Sequence, residues 1–159
     1  MTKLILIAAA TLSATAALAA SKPSSRMPAA DLKWEQPMGA GGPSVAFASG
    51  DGKSKGPAEF FLKFPAGFDS GWHTHDANYS AVVIKGTMTA QAQGDAEIQL
   101  PSGSYFGEPG KKNHRNSCTK DSDCVIFVHS EKGFTFHPMT AEGKPAPAPD
   151  KKAEGAATK

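Results

Sequence analysis

Residues 67–86, GFDSGWHTHDANYSAVVIKG, decide how the rest of the chain is read. His73 and His75 stand two apart, so on an extended strand both leave the same face with Cα atoms about 7 Å apart. Two imidazoles at that spacing converge on one ion. Asp76, Ala77 and Asn78 are small or turn-forming. The apolar run 79–84 is therefore expected to return antiparallel as the second arm of a β-hairpin, with Tyr79 beside the histidine pair. Gly86 closes the unit.

A third histidine comes from residues 103–118, GSYFGEPGKKNHRNSC, where Gly103 and Pro109-Gly110 bend the chain before His114 enters a strand. Together the two stretches resemble the paired motifs of the cupin superfamily. The first motif has a glycine, five residues, His-x-His, three or four residues, usually Glu, six residues and a glycine; Gly67, His73, His75 and Gly86 fall on it, with Tyr79 in the Glu slot. In the second, Gly103, Pro109 and His114 hold the family offsets, while Lys111 replaces a glycine and Cys118 an asparagine. Sixteen residues, 87–102, separate the motifs, as a short hairpin requires.

The resemblance implies an all-β fold, a single cupin: a double-stranded β-helix or jelly-roll barrel. It also implies a metal site made by His73, His75 and His114. Three neutral imidazoles suit one divalent transition metal, Fe, Zn, Cu, Ni or Mn, with open positions for water, substrate or oxygen. Within the superfamily the chain is most similar to exported single-domain cupins related to the metal-binding cupin domain of ChrR-type anti-sigma factors, which often carry Tyr in the Glu slot. Some cupins that lack the carboxylate are mononuclear iron dioxygenases, so the Tyr does not imply loss of metal.

Tyr79 is the candidate catalytic residue, with three roles open to it: a neutral pocket donor, a phenolate ligand, or a core aromatic with its hydroxyl at the barrel mouth. Phe60, Leu62, Phe64, Trp72 and Phe106 are the candidate apolar walls of a small-molecule pocket. His129 shares the alternation of Val125 and Phe127; it either enters the cavity beside the metal ligands or is an ordinary strand histidine.

The opening residues read as an export signal: Lys3, an apolar stretch over 4–20, and the small-x-small site Ala17-Leu18-Ala19. Removing 19 of the 159 residues leaves 140, enough for one domain with a sizeable core. The expected organisation is a signal peptide at 1–19, a flexible leader at 20–30, the cupin domain at 31–139 and a disordered Pro/Ala/Lys tail at 140–159. Net charge is +2, and +1 once Lys3 is removed, so neither a nucleic acid nor a strongly basic partner is indicated. No membrane contact is expected after cleavage, and the location is periplasmic or secreted. In that setting Cys118 and Cys124 form a disulfide rather than two free thiols, closing a loop of seven residues and pinning one hairpin.

Between these landmarks, period-two alternation and Gly/Pro turns place strands at 44–48, 58–64, 87–93, 96–100, 104–106, 124–130 and 134–137. Helix should be scarce. Edge strands of such a sheet invite pairing between copies, so a homodimer through 31–48, anchored by Trp34, is expected. Two functions fit these residues: a metal-dependent oxygenase or lyase acting on a small chelating organic substrate, and a cupin that binds or senses a metal or ligand without turnover.

Overall fold

The computed structural model describes residues 25–53 and 55–147. Its ten strands are β1 (Ser44–Ser49), β2 (Ala58–Phe64), β3 (His73–Thr74), β4 (Tyr79–Lys85), β5 (Thr87–Ala92), β6 (Ile98–Pro101), β7 (Tyr105–Glu108), β8 (His114–Cys118), β9 (Cys124–Ser130) and β10 (His137–Pro138). They form two five-stranded antiparallel sheets, ordered β1-β2-β9-β4-β7 and β10-β3-β8-β5-β6. The chain is thus an all-β jelly roll. A single 3-10 turn, Ala29–Asp31, is the only helix among the described residues.

Alternation explains the core. On β9 the even positions Cys124, Ile126, Val128 and Ser130 are buried and the odd ones face outward, while β2 and β4 turn Phe60, Phe64, Ala81 and Val83 toward the same interior. Phe60, Val83, Met88 and Val128 are fully enclosed. Burying side chains of this size contributes about 1.5–3 kcal/mol each.

The hairpin expected at 67–86 does not form. His73 pairs with His114 in one sheet, whereas Tyr79 pairs with Glu108 and Ser130 in the other. Residues 75–78 therefore cross between sheets. The backbone groups that a hairpin would need are already engaged: the His75 carbonyl accepts from Lys111 N at 2.7 Å, and Asp76 N donates to Thr135 Oγ1 at 2.9 Å. Asn78 Oδ1 accepts from Gly110 N at 2.8 Å, so the crossover is clamped to the loop that leads to His114. Gly110 is required there, because a Cβ would stand 2.7 Å from the Asp76 carbonyl oxygen. Lys111, where the family motif has glycine, keeps the left-handed conformation (φ 64°) that glycine would take more cheaply.

Cys118 and Cys124 are bonded, with Cα atoms 5.8 Å apart. Because Cys118 ends β8 and Cys124 begins β9, the bridge ties the two sheets together instead of pinning a hairpin.

The short strand expected at 134–137 is displaced: Phe134, Thr135 and Phe136 are irregular, and β10 is His137–Pro138 only. Residues 140–147, placed in the tail by composition, are held by hydrogen bonds rather than by apolar burial. Gln93 Nε2 donates to the Ala141 carbonyl at 2.9 Å and Asn113 Nδ2 to that of Thr140 at 3.0 Å. The signal peptide, residues 20–24 of the leader and tail residues 148–159 lie outside the described residues. Trp34 folds back onto its own chain, with Lys63 Nζ 4.6 Å from its ring centre.

Candidate metal centre

The two-residue strand β3, the crossover after it and the start of β8 bring His73, His75 and His114 together. One ring nitrogen from each lies within 4.8 Å of the others. Ring centres are 4.3 Å apart for His73 and His114, 4.9 Å for His73 and His75, and 5.2 Å for His75 and His114. All three are buried, His114 completely.

Each imidazole is oriented through its other nitrogen. His73 Nδ1 donates to the Gly71 carbonyl and His114 Nδ1 to the Lys112 carbonyl, both at 2.8 Å, and His75 Nδ1 donates to the Thr135 carbonyl. A carbonyl only accepts, so Nδ1 carries the proton and the Nε2 lone pair is left for a metal. This is the usual way a ligating histidine is held in one tautomer. Burial pushes the His73 pKa down to about 4, helped by the neighbouring His114, and that of His75 down to about 3. Burial also lowers His114. The rings are therefore neutral near pH 7, the form a metal requires. Donor type, tautomer and spacing all fit a divalent transition ion.

Tyr79 reaches the centre from the opposite sheet. Its hydroxyl lies 3.2 Å from His114 Nε2 and donates to Asn116 Oδ1 at 3.3 Å. Burial, and secondarily the charge of Glu108, push the phenol well above its ordinary pKa, so it holds its proton. Of the three roles open to Tyr79, this geometry favours the neutral donor.

His73 and His75, but not His114, line a cavity of about 700 Å³. Phe60, Leu62 and Phe64 line it. Three other residues read as pocket groups sit elsewhere. Trp72 alternates with His73 and so leaves the opposite side of the chain, and its carbonyl accepts from Met139 N at 2.8 Å. Phe106 packs edge-on behind Tyr79, at 6.2 Å, and does not reach the cavity. His129 is on the outer face of β9, 46% exposed and 3.5 Å from Glu59, because the even residues of that strand take the interior.

Three residues of the site were not read from the sequence. Phe134 stacks on His75 at 4.2 Å and Phe136 on His73 at 4.5 Å, so the segment between them straps the ligand rings in place. Their one-on, one-off alternation in F-T-F was visible, but not what they would cover. Asn116 lies two residues after His114, on the same face of β8, and is 6% exposed. Its Oδ1 accepts a hydrogen bond from the Tyr79 hydroxyl, while its Nδ2 is buried without a hydrogen-bond partner among the described residues.

Solved structures share this fold. An RmlC-like cupin from Ralstonia eutropha superposes with a TM-score of 0.61 at 16% identity, over 78% of this chain and 78% of that one. KdgF from Halomonas sp. gives 0.57 at 18% identity, over 69% of this chain and 96% of that one. The DMSP lyase DddQ from Ruegeria pomeroyi gives 0.54 at 19% identity, over 64% and 57%. No curated protein matches the chain. At these identities the likeness speaks to the fold, which is that of a cupin. The sequence model for the domain of unknown function DUF4437 matches residues 24–137, and the chain belongs to that family.

Proposed function

We propose that the chain is an exported metal-dependent cupin enzyme, an oxygenase or lyase acting on a small chelating organic substrate at His73, His75 and His114. One observation carries this reading: three buried, neutral imidazoles with tethered Nδ1 atoms converge, and two of them, His73 and His75, line a cavity large enough for a small molecule. The DMSP lyase of like fold supports the lyase branch. A bound divalent ion would supply Lewis acidity and, if redox-active, oxygen chemistry.

This chain's own residues do the remaining work. The histidines place the ion, Phe134 and Phe136 fix the ring planes and exclude water, and Tyr79 offers a proton-bearing hydroxyl beside His114. A binding or sensing module is the second reading. It is favoured by the absence, among the described residues, of any carboxylate in the metal-ligating cluster or in contact with it through a hydrogen bond.

Export is supported by the leader read at 1–19 and by the disulfide, which belongs to an oxidising compartment. A homodimer through 31–48 remains part of the proposal. Sedimentation unchanged by truncation to Ser44 would remove it. The test of the main reading is elemental analysis of tag-free protein from the exported fraction, followed by ligand-dependent oxygen uptake. One equivalent of metal is expected; a metal-free protein that takes none up overturns the assignment.

A further inference from the structure

The walls of the cavity carry information that its histidines do not. Phe47, Phe60, Leu62, Phe64, Phe134 and Phe136 bound it. Its charged lining residues are Glu35, Asp51 and Lys53, all exposed. No cationic side chain reaches the buried end among the described residues. A small dianion seated there would face the ion at one end and, beyond the neutral polar groups of Ser70, Tyr79 and Asn116, mostly hydrocarbon, so much of its charge would be desolvated without a cationic partner. A ring-sized apolar body gains by the same burial. The volume, about 700 Å³, is far more than a two-carbon diacid fills.

The second observation is polar. Asn116 lines this cavity next to His114, 6% exposed, with Oδ1 committed to Tyr79 and Nδ2 without an acceptor among the described residues. Buried amide donors are nearly always satisfied, and one left open beside a ligand cavity marks the place of a ligand oxygen. Resting on the metal-centre reading above, we infer that the ligand joins an oxygen head, which accepts from Asn116 Nδ2 at the histidine centre, to an apolar ring-sized body along the phenylalanine wall. Asn116 is then a ligand-binding residue, and the site discriminates against small dicarboxylates.

Calorimetry on the full, tag-free chain, loaded with one equivalent of zinc as checked by elemental analysis, tests this with matched probes. Acetohydroxamate and benzohydroxamate share one oxygen head and differ by phenyl for methyl, and oxalate is the dianionic comparison. Benzohydroxamate should bind about tenfold or more tighter than acetohydroxamate, and tighter than oxalate. Equal affinity for the two hydroxamates, or tightest binding of oxalate, overturns the inference. Phe136→Ala should erase much of the preference for phenyl. Asn116→Ala should weaken both hydroxamates about tenfold, leaving their ratio and the zinc content unchanged; unaltered affinity in that variant removes the head assignment. If zinc does not bind, the metal reading fails by itself. In that case 2-naphthol titrated into the metal-free chain still tests the wall: micromolar binding supports it, and no binding overturns it.

Discussion

The sheet β10-β3-β8-β5-β6 and the sheet β1-β2-β9-β4-β7 face each other across one cavity but present opposite chemistry to it. The first carries His73 and His114, delivers His75 just past β3, and adds Asn116. The second shows Phe60, Leu62, Phe64, Ile126 and Val128, and one polar group, the Tyr79 hydroxyl. The candidate metal ligands and most of the apolar wall are thus built on separate scaffolds, which come into polar contact at the site where Tyr79 touches His114 and Asn116. A change on one sheet should leave the other's property intact, and each experiment below breaks or sharpens that division.

The largest effect is expected from His75→Ala. It removes one of three ligands without touching the apolar wall, so stoichiometric metal binding should be lost while the far-ultraviolet spectrum stays that of a folded β protein. Full metal retention would refute the triad.

Acid should act on the same sheet. The folded-state pKa values of about 4 for His73 and about 3 for His75 lie below the unfolded value near 6.5. Between those limits the unfolded chain binds protons that the folded chain refuses. Stability of the metal-free protein is therefore fully present above about pH 6.5 and declines as pH falls toward 4 and then 3. Urea midpoints measured from pH 7.5 to 4.5 should fall, and less steeply in His75→Ala; a flat profile in both proteins would contradict the burial argument.

The disulfide is the covalent link between the two scaffolds. Reducing it should cost about 2 kcal/mol, the chain-entropy value for so short a loop, read as a lower denaturation midpoint. Thiol titration that finds two free thiols in the native exported protein would end that prediction.

A smaller change is expected where the sheets meet. Tyr79→Phe should retain the metal and weaken an anionic oxygen ligand by about 1 to 2 kcal/mol. Tyr79→Glu should tighten metal binding by adding charge beside the ion. Unchanged affinities in both variants would reduce Tyr79 to packing. Smallest of all, Lys111→Gly should stabilise the fold by about 0.5 to 1 kcal/mol, since it relieves a left-handed non-glycine residue without disturbing the Lys111 N to His75 O bond. A destabilised variant would mean that the lysine side chain matters there.

Much of this centre was legible in the chain because its determinants are local. Spacing of two residues puts His73 and His75 on one face, alternation at 58–64 and 124–130 marks buried strands, and β2 (Ala58–Phe64) and β9 (Cys124–Ser130) form over those spans. The motif offsets brought in His114, and the cysteine pair brought in the bridge. Contacts between distant segments were not legible. Alternation tells which residues of β9 share a face but not which face is inside, so His129 could be read inward when Ile126 and Val128 hold that side.

The same limit governed the crossover at 75–78. A turn-forming sequence is compatible with a hairpin or with passage to the opposite sheet. The choice was made by Lys111, Gly110 and Thr135, which are separated from it by dozens of residues and take its hydrogen-bonding groups. The sequence by itself determined the candidate ligand pair His73 and His75, the strand alternation and the covalent pair, each encoded within a few neighbouring residues, and the motif offsets added His114 as the third candidate. The tertiary structure alone decided which carbonyl orients each imidazole, which rings cover them and which amide is left open to a ligand, because those partners meet only when the two sheets close on each other.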